Sequence, residues 1–325
     1  MSFNLIYVPL CQTDSALAFF CRVEIELEFT MGFFKSLFGV GNESDKQSKT
    51  DDKQRQFDVL KYDGVRALRM GQVDIAVNCL EHAIQLQDDL EVCDYLSQAL
   101  LHQGRLDEAY RYLQRMAEGE PDNQQIYLRM GSVAYMREDY QAEADVANHV
   151  LQLNADSPQA HYLLAQAYIG QGNPIVAIAM LTKAVALDDK FLAAYLLRGD
   201  TLLKMGDLQG AKADANLLIA QQPDNEDALM LAARASETMG KHDEAIALYD
   251  RVVEANPFSV TAFKERGAIR MALGDKDGAE ADARAVLELA PNEVAGVTGN
   301  YTARGTEDIQ RKVEDAYRNN NPLVL

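Results

Sequence analysis

An alanine recurs along this chain at a nearly constant interval: Ala76, Ala109, Ala177, Ala211, Ala245 and Ala279, separated by 33, 68, 34, 34 and 34 residues. The double step holds two periods of 34, with Glu143 at the skipped place. A period of this length marks one supersecondary unit copied in tandem, and it constrains the fold more than any local propensity does. Other landmarks move with it. A small residue stands twelve places before each alanine (Gly64, Ser97, Ala165, Gly199, Ala233, Gly267, with Gly131 before Glu143). A glycine stands five before (Gly71, Gly104, Gly172, Gly206, Gly240, Gly274). An apolar residue lies seven after (Ala83, Met116, Val150, Ala184, Leu218, Val252, Val286), and Pro121, Pro223, Pro257 and Pro291 lie twelve after.

Each landmark has a physical reading. Two small residues twelve apart fit two helices that cross closely, where a larger side chain would cost roughly 1–3 kcal/mol of overpacking. The glycine ends the first helix in the left-handed conformation. A following Asp, as in Gly206-Asp207 and Gly274-Asp275, can cap the second helix. The proline stops that helix, since it cannot continue the hydrogen-bond ladder. A helical hairpin cannot bury its apolar face alone, so neighbours stack to form a continuous core.

This pattern resembles the tetratricopeptide repeat (TPR) family: small at position 8, often Gly at 15, Ala at 20, a large apolar residue at 24, Ala at 27 and Pro at 32. Seven copies fit, beginning at Phe57, Leu90, Gln124, Pro158, Leu192, Glu226 and Val260, and they cover residues 57–293. The resemblance implies an all-α fold, a right-handed superhelical α-solenoid of stacked helix-turn-helix repeats. Residues 1–56 are expected to form an N-terminal extension and flexible linker, and residues 294–325 a C-terminal loop and capping helix. Thr306 can cap that helix, whose expected apolar stripe is Ile309, Val313, Ala316 and Tyr317.

The third repeat departs from the pattern. Units three, five and seven share Ala-x-Ala-Asp, at Ala142–Asp145, Ala211–Asp214 and Ala279–Asp282, which suggests a copied double repeat. Aligning Ala142 with Ala211 needs a turn one residue shorter and a second helix one residue longer. Strict register instead puts Glu143 at the helix crossing, where a buried charge is costly. The shifted register is therefore expected, with Glu143 turned outward and a distortion before Val150.

Ahead of the repeats, Val23–Phe29 alternates like a strand with nothing to pair with. Met31-Gly-Phe-Phe-Lys-Ser-Leu-Phe-Gly reads like a natural start, and translation is expected to begin there. The segment 31–40 concentrates Phe33, Phe34, Leu37 and Phe38. It is expected to fold back over the first repeat, the alternative being a short amphipathic anchor on a membrane surface. Residues 41–56 read as a flexible linker.

Function is bounded from the negative side. A formal net charge of −19 offers no basic stripe for nucleic acid and favours solubility or a basic or apolar partner. Cysteines 11, 21, 79 and 93 have neither metal spacing nor a disulfide framework, which suits a reducing, cytoplasmic setting. The five histidines are scattered, and there is no phosphate loop, nucleophile elbow or Cys-x-x-Cys. No enzyme, cofactor or metal is expected.

What remains is a surface. The resemblance implies that first helices line a concave groove through positions 2, 5, 9, 12 and 13, there to hold a peptide segment of a partner protein. The residues so placed include Tyr135, Met136, Tyr162, Gln166, Leu196, Asp200, Met230, Arg234, Glu237 and Lys264. A clamp for terminal carboxylates is argued against: Lys61 is followed by Val65, and Tyr95 and Gln125 stand where that clamp needs amides and cations.

Overall fold

In a computed structural model the structure describes residues 43–291, all helical apart from short connections. Internal contacts divide the chain after Arg137 into two compact units. In the first lie α1 (Glu43–Arg69), α2 (Val73–Leu86), α3 (Leu90–His102), α4 (Leu106–Gly119) and α5 (Gln124–Met136). Each packs on the next, and α1 also touches α3. Phe57, Leu60, Leu80, Leu96 and Leu100 fill the core, around crossings where Ala76 and Ala109 are wholly buried.

The second unit holds α6 (Tyr140–Leu153), α7 (Pro158–Gly170), α8 (Pro174–Leu187), α9 (Leu192–Lys204), α10 (Leu208–Gln221), α11 (Glu226–Thr238), α12 (His242–Ala255), α13 (Val260–Ala272) and α14 (Lys276–Leu289). Again each helix packs on its successor, and α9 also meets α11. Its core runs through Ala177, Leu181, Ala211, Leu218, Leu229, Ala245 and Val252.

The connections follow from the residues. Gly206 has φ +84° and its five glycine counterparts lie near it, in the region that side-chain-bearing residues avoid. Asp207 and Asp275 then accept the backbone N–H groups of Gly210 and Gly278 at 2.9 and 3.0 Å, capping α10 and α14. Gly199 lies so close to the next repeat that a Cβ there would overlap the Leu231 side chain.

Two expectations are corrected. The third repeat keeps strict register: α6 spans 14 residues like the other second helices, and Glu138 takes the glycine place with φ +56°. Glu143 is therefore fully buried, with both carboxylate oxygens unpartnered. Shifting the helix would have carried Val146, Ala147 and Val150 out of the core, which outweighs enclosing one carboxyl that can stay protonated. Burial alone pushes its pKa up to about 8.

The second correction concerns the linker. Helix α1 starts at Glu43, so residues 43–56 extend the first repeat's helix rather than forming a loose tether. They contain no Gly or Pro, and elongating a helix whose later turns are already packed avoids the cost of nucleation. The strand-like stretch 23–29, the segment 31–40 and the expected capping helix lie outside the described residues.

Candidate partner-binding surface

In the first unit two cations of the first helices, Lys61 and Arg129, are paired with acidic residues in, or just before, the second repeat. The Lys61 ammonium lies 2.6 Å from Glu91 and 3.3 Å from Asp89. Arg129 pairs with Asp94 and also donates to the Ser97 hydroxyl at 2.8 Å. Tyr135 and Met136, at the end of α5, are exposed by 45% and 49%.

The second unit places the other expected residues on α7, α9, α11 and α13, which differ in how far they face solvent. Tyr162 and Gln166 on α7 are half-buried, and the Tyr162 ring meets Phe191 at a centroid distance of 5.1 Å. Leu196 on α9 is half-buried beside that pair, packed on the Ala177–Leu218 core. These residues form an apolar shelf with one amide at its edge.

Met230 is not on the surface. It is 6% exposed and packs with Ala233, Tyr249 and Ile269. Helix α11 is rich in alanine, with Ala228, Ala232, Ala233 and Ala235 all buried, so its neighbours approach closely enough to enclose position 5.

Arg234 is not a free cation either. Its Nε and Nη2 reach the two Glu265 oxygens at 2.9 and 2.8 Å, a bidentate pair. The Tyr249 hydroxyl donates to the same carboxylate at 2.8 Å. Lys264 is half-buried on α13.

Two carboxylates have no such partner. Asp200 on α9 and Glu237 on α11 are half-buried and make no hydrogen bond or ion pair among the described residues. Burial raises the Asp200 carboxyl above its usual range, against the pull of Lys204 and Arg234. Burial does the same to Glu237, reinforced by the nearby Glu265. Both are acceptors held partly out of water without a donor, an arrangement that favours an incoming cation.

Buried ion pairs hold the hairpins that carry this surface. Arg198 is bidentate to Asp214 at 2.8 and 2.6 Å, joining α9 to α10. Arg266 likewise reaches Asp282, joining α13 to α14, and Arg270 adds a contact at 3.0 Å. Sequence reasoning did not single out these pairs or the Tyr249–Glu265 bond. The signal was present: 16 residues separate the partners in all three. The shared Ala-x-Ala-Asp motif also divides here, because Asp214 and Asp282 are buried while Asp145, one place out of register, is exposed.

No group of His, Cys, Asp and Glu among the described residues is arranged to hold a metal ion, and no described helix is long and apolar enough to cross a membrane.

Comparison with known proteins agrees with the geometry. A family model described as tetratricopeptide repeat matches residues 96–161, 162–226, 196–260 and 230–294. DnaJ homolog subfamily C member 3 of Gallus gallus is 22% identical over 282 residues, covering 77% of this chain and 56% of that protein. The protein O-mannosyl-transferase TMTC1 of Homo sapiens is 25% identical over 195 residues, 58% of this chain and 22% of that one. The chain thus spans at most about half the length of these relatives. Among solved structures, a tetratricopeptide repeat protein from Parabacteroides merdae superposes with a TM-score of 0.60 at 20% identity, over 74% of this chain and 96% of that one. Stacked helical hairpins of this family serve as scaffolds for protein interaction. The period, the turn geometry, the closed crossings and the family match together place this chain in the tetratricopeptide repeat family.

Proposed function

We propose that the second unit binds a peptide segment of a partner protein along α7, α9 and α11, and that the segment presents an apolar side chain followed by Lys or Arg. The observation that carries this reading is the pair Asp200 and Glu237, half-buried carboxylates without a partner, beside the apolar shelf of Tyr162 and Leu196. An aliphatic or aromatic anchor would cover the shelf, and a cation would replace the solvation those carboxylates have lost. Gln166 supplies an amide for the peptide backbone. Arg234, tied to Glu265, shapes the wall between the two carboxylates rather than contacting the ligand as a free charge.

The net charge of −19 favours the approach of a basic segment. The free thiols of Cys79 and Cys93 support a reducing, cytoplasmic setting. The role is that of an adaptor, with no catalytic step assigned to it. The membrane-anchored alternative rests on residues 31–40, outside the described residues, and no observation in the structure favours it.

Selection of a random peptide library on the purified chain tests the reading. Enrichment of Lys or Arg next to an apolar residue is expected, with loss of the selected peptides on Asp200→Asn combined with Glu237→Gln. Selection of acidic peptides, or selected peptides indifferent to both substitutions, would overturn it.

A further inference from the structure

A guanidinium carries its N–H groups in one rigid plane, so holding two of its nitrogens fixes where the third points. Arg234 on α11 is held in this way. Its Nε and Nη2 donate to Glu265 at 2.9 and 2.8 Å, and the Tyr249 hydroxyl holds the same carboxylate at 2.8 Å. Tyr249 is itself fully buried, which anchors the series in the core. The third nitrogen, Nη1, makes no hydrogen bond among the described residues. It is not enclosed either, and the side chain keeps 38% of its surface exposed, so Nη1 meets solvent.

Charge alone does not explain a cation at this place. Arg234 lies near enough to lower the Asp200 and Glu237 carboxyls, against the larger effect of burial on each, yet it pairs with neither. A positive charge beside two subsites for a cation opposes a basic ligand. What Arg234 can offer such a ligand is a donor held in one orientation.

We propose, resting on the peptide groove described above, that Arg234 Nη1 donates to a backbone carbonyl of the bound segment, and that the groove takes an extended segment and not a helical one. In a helix each carbonyl before the last turn already accepts from the N–H four residues on. An extended segment laid across α7, α9 and α11 keeps its carbonyls free. Gln166 on α7 offers the same backbone an amide from the far side of the apolar shelf. Arg234 is then a positioning residue for the ligand backbone, while Asp200 and Glu237 select the cation.

Fluorescence anisotropy with a basic peptide selected from the random library tests the contact. On charge alone Arg234→Met would tighten that peptide; a fixed donor predicts weaker binding instead, by about tenfold or more. Arg234→Met with Glu265→Gln keeps the net charge and leaves Tyr249 an acceptor, and its melting temperature reports whether the fold is kept. This variant should weaken the peptide by a similar factor. Replacing each peptide amide in turn by an ester weakens one carbonyl as an acceptor. One such ester should lower affinity for the unsubstituted chain and have no further effect on the double variant. Unchanged or tighter binding by the folded double variant would overturn the proposal, as would equal affinity for a lactam-bridged helical form of the peptide. In either case the groove itself stands if Asp200→Asn with Glu237→Gln still removes binding. Peptides indifferent to those two substitutions would overturn the groove, and this contact with it.

Discussion

Replacing Glu143 by Ala should stabilise this protein at neutral pH and remove part of its pH dependence. The folded chain encloses the carboxyl completely, gives neither oxygen a hydrogen bond, and raises its pKa from 4.5 to about 8. In the unfolded chain the same group releases its proton near the ordinary value. Between the two values the folded state binds one proton more than the unfolded state, so stability falls as pH rises, by about 1.4 kcal/mol per pH unit. From pH 4.5 to pH 7 the loss amounts to roughly 3 kcal/mol, and it levels off above the folded pKa. Ala occupies the equivalent crossing in the other six repeats, each time buried, so the smaller side chain suits the backbone as it stands. After about 1 kcal/mol for the packing lost with the carboxyl, a gain of roughly 2 kcal/mol at pH 7 is expected. Urea denaturation of both proteins from pH 5 to pH 9 measures it. The curves should converge toward pH 5 and separate steadily to pH 8. Parallel curves, or a variant less stable than the parent at pH 7, would show that Glu143 is solvated or paired and that the third repeat does not hold strict register.

Other substitutions probe the turns, the crossings and the ion pairs. Glu138→Gly should raise stability by about 0.5–1 kcal/mol, since it relieves a left-handed residue at the turn before α6, and thermal melting would show it. Gly199→Ala should cost roughly 1–3 kcal/mol in the same assay, because its methyl meets the Leu231 side chain of the next repeat. Asp282→Ala should cost about 3 kcal/mol by removing the buried carboxylate that Arg266 and Arg270 share, leaving Arg266 only its contact to the half-exposed Asp250. Arg266→Met with Asp282→Leu should cost far less, and equal costs for the two would assign the effect to packing instead of charge.

The repeat fold was legible because its determinants are local and recur. Ala76, Ala177 and Ala245 mark crossings that are indeed closed, and Gly172 and Gly240 mark turns whose φ angles only glycine adopts readily. Glu143 misled because its burial cost was weighed alone, whereas register belongs to a whole helix and is held here by Val146, Ala147 and Val150. The candidate surface was legible in outline only. Helical spacing places Met230 and Arg234 on a first helix, but it does not say how closely the next helix approaches. That approach, set by the alanines of α11, encloses Met230. Likewise Glu265 reaches Arg234 from 31 residues away, in the following repeat. Asp200 gained in significance for the converse reason, since no cation from a neighbouring helix pairs with it.

Hydrogen exchange on the full chain, with and without a library-selected basic peptide, tests the central claim most directly. The account predicts slowed exchange in α9 and α11, lost when Asp200→Asn and Glu237→Gln are introduced together. Protection confined to α3 and α5, or protection of α9 and α11 that survives both substitutions, would contradict it.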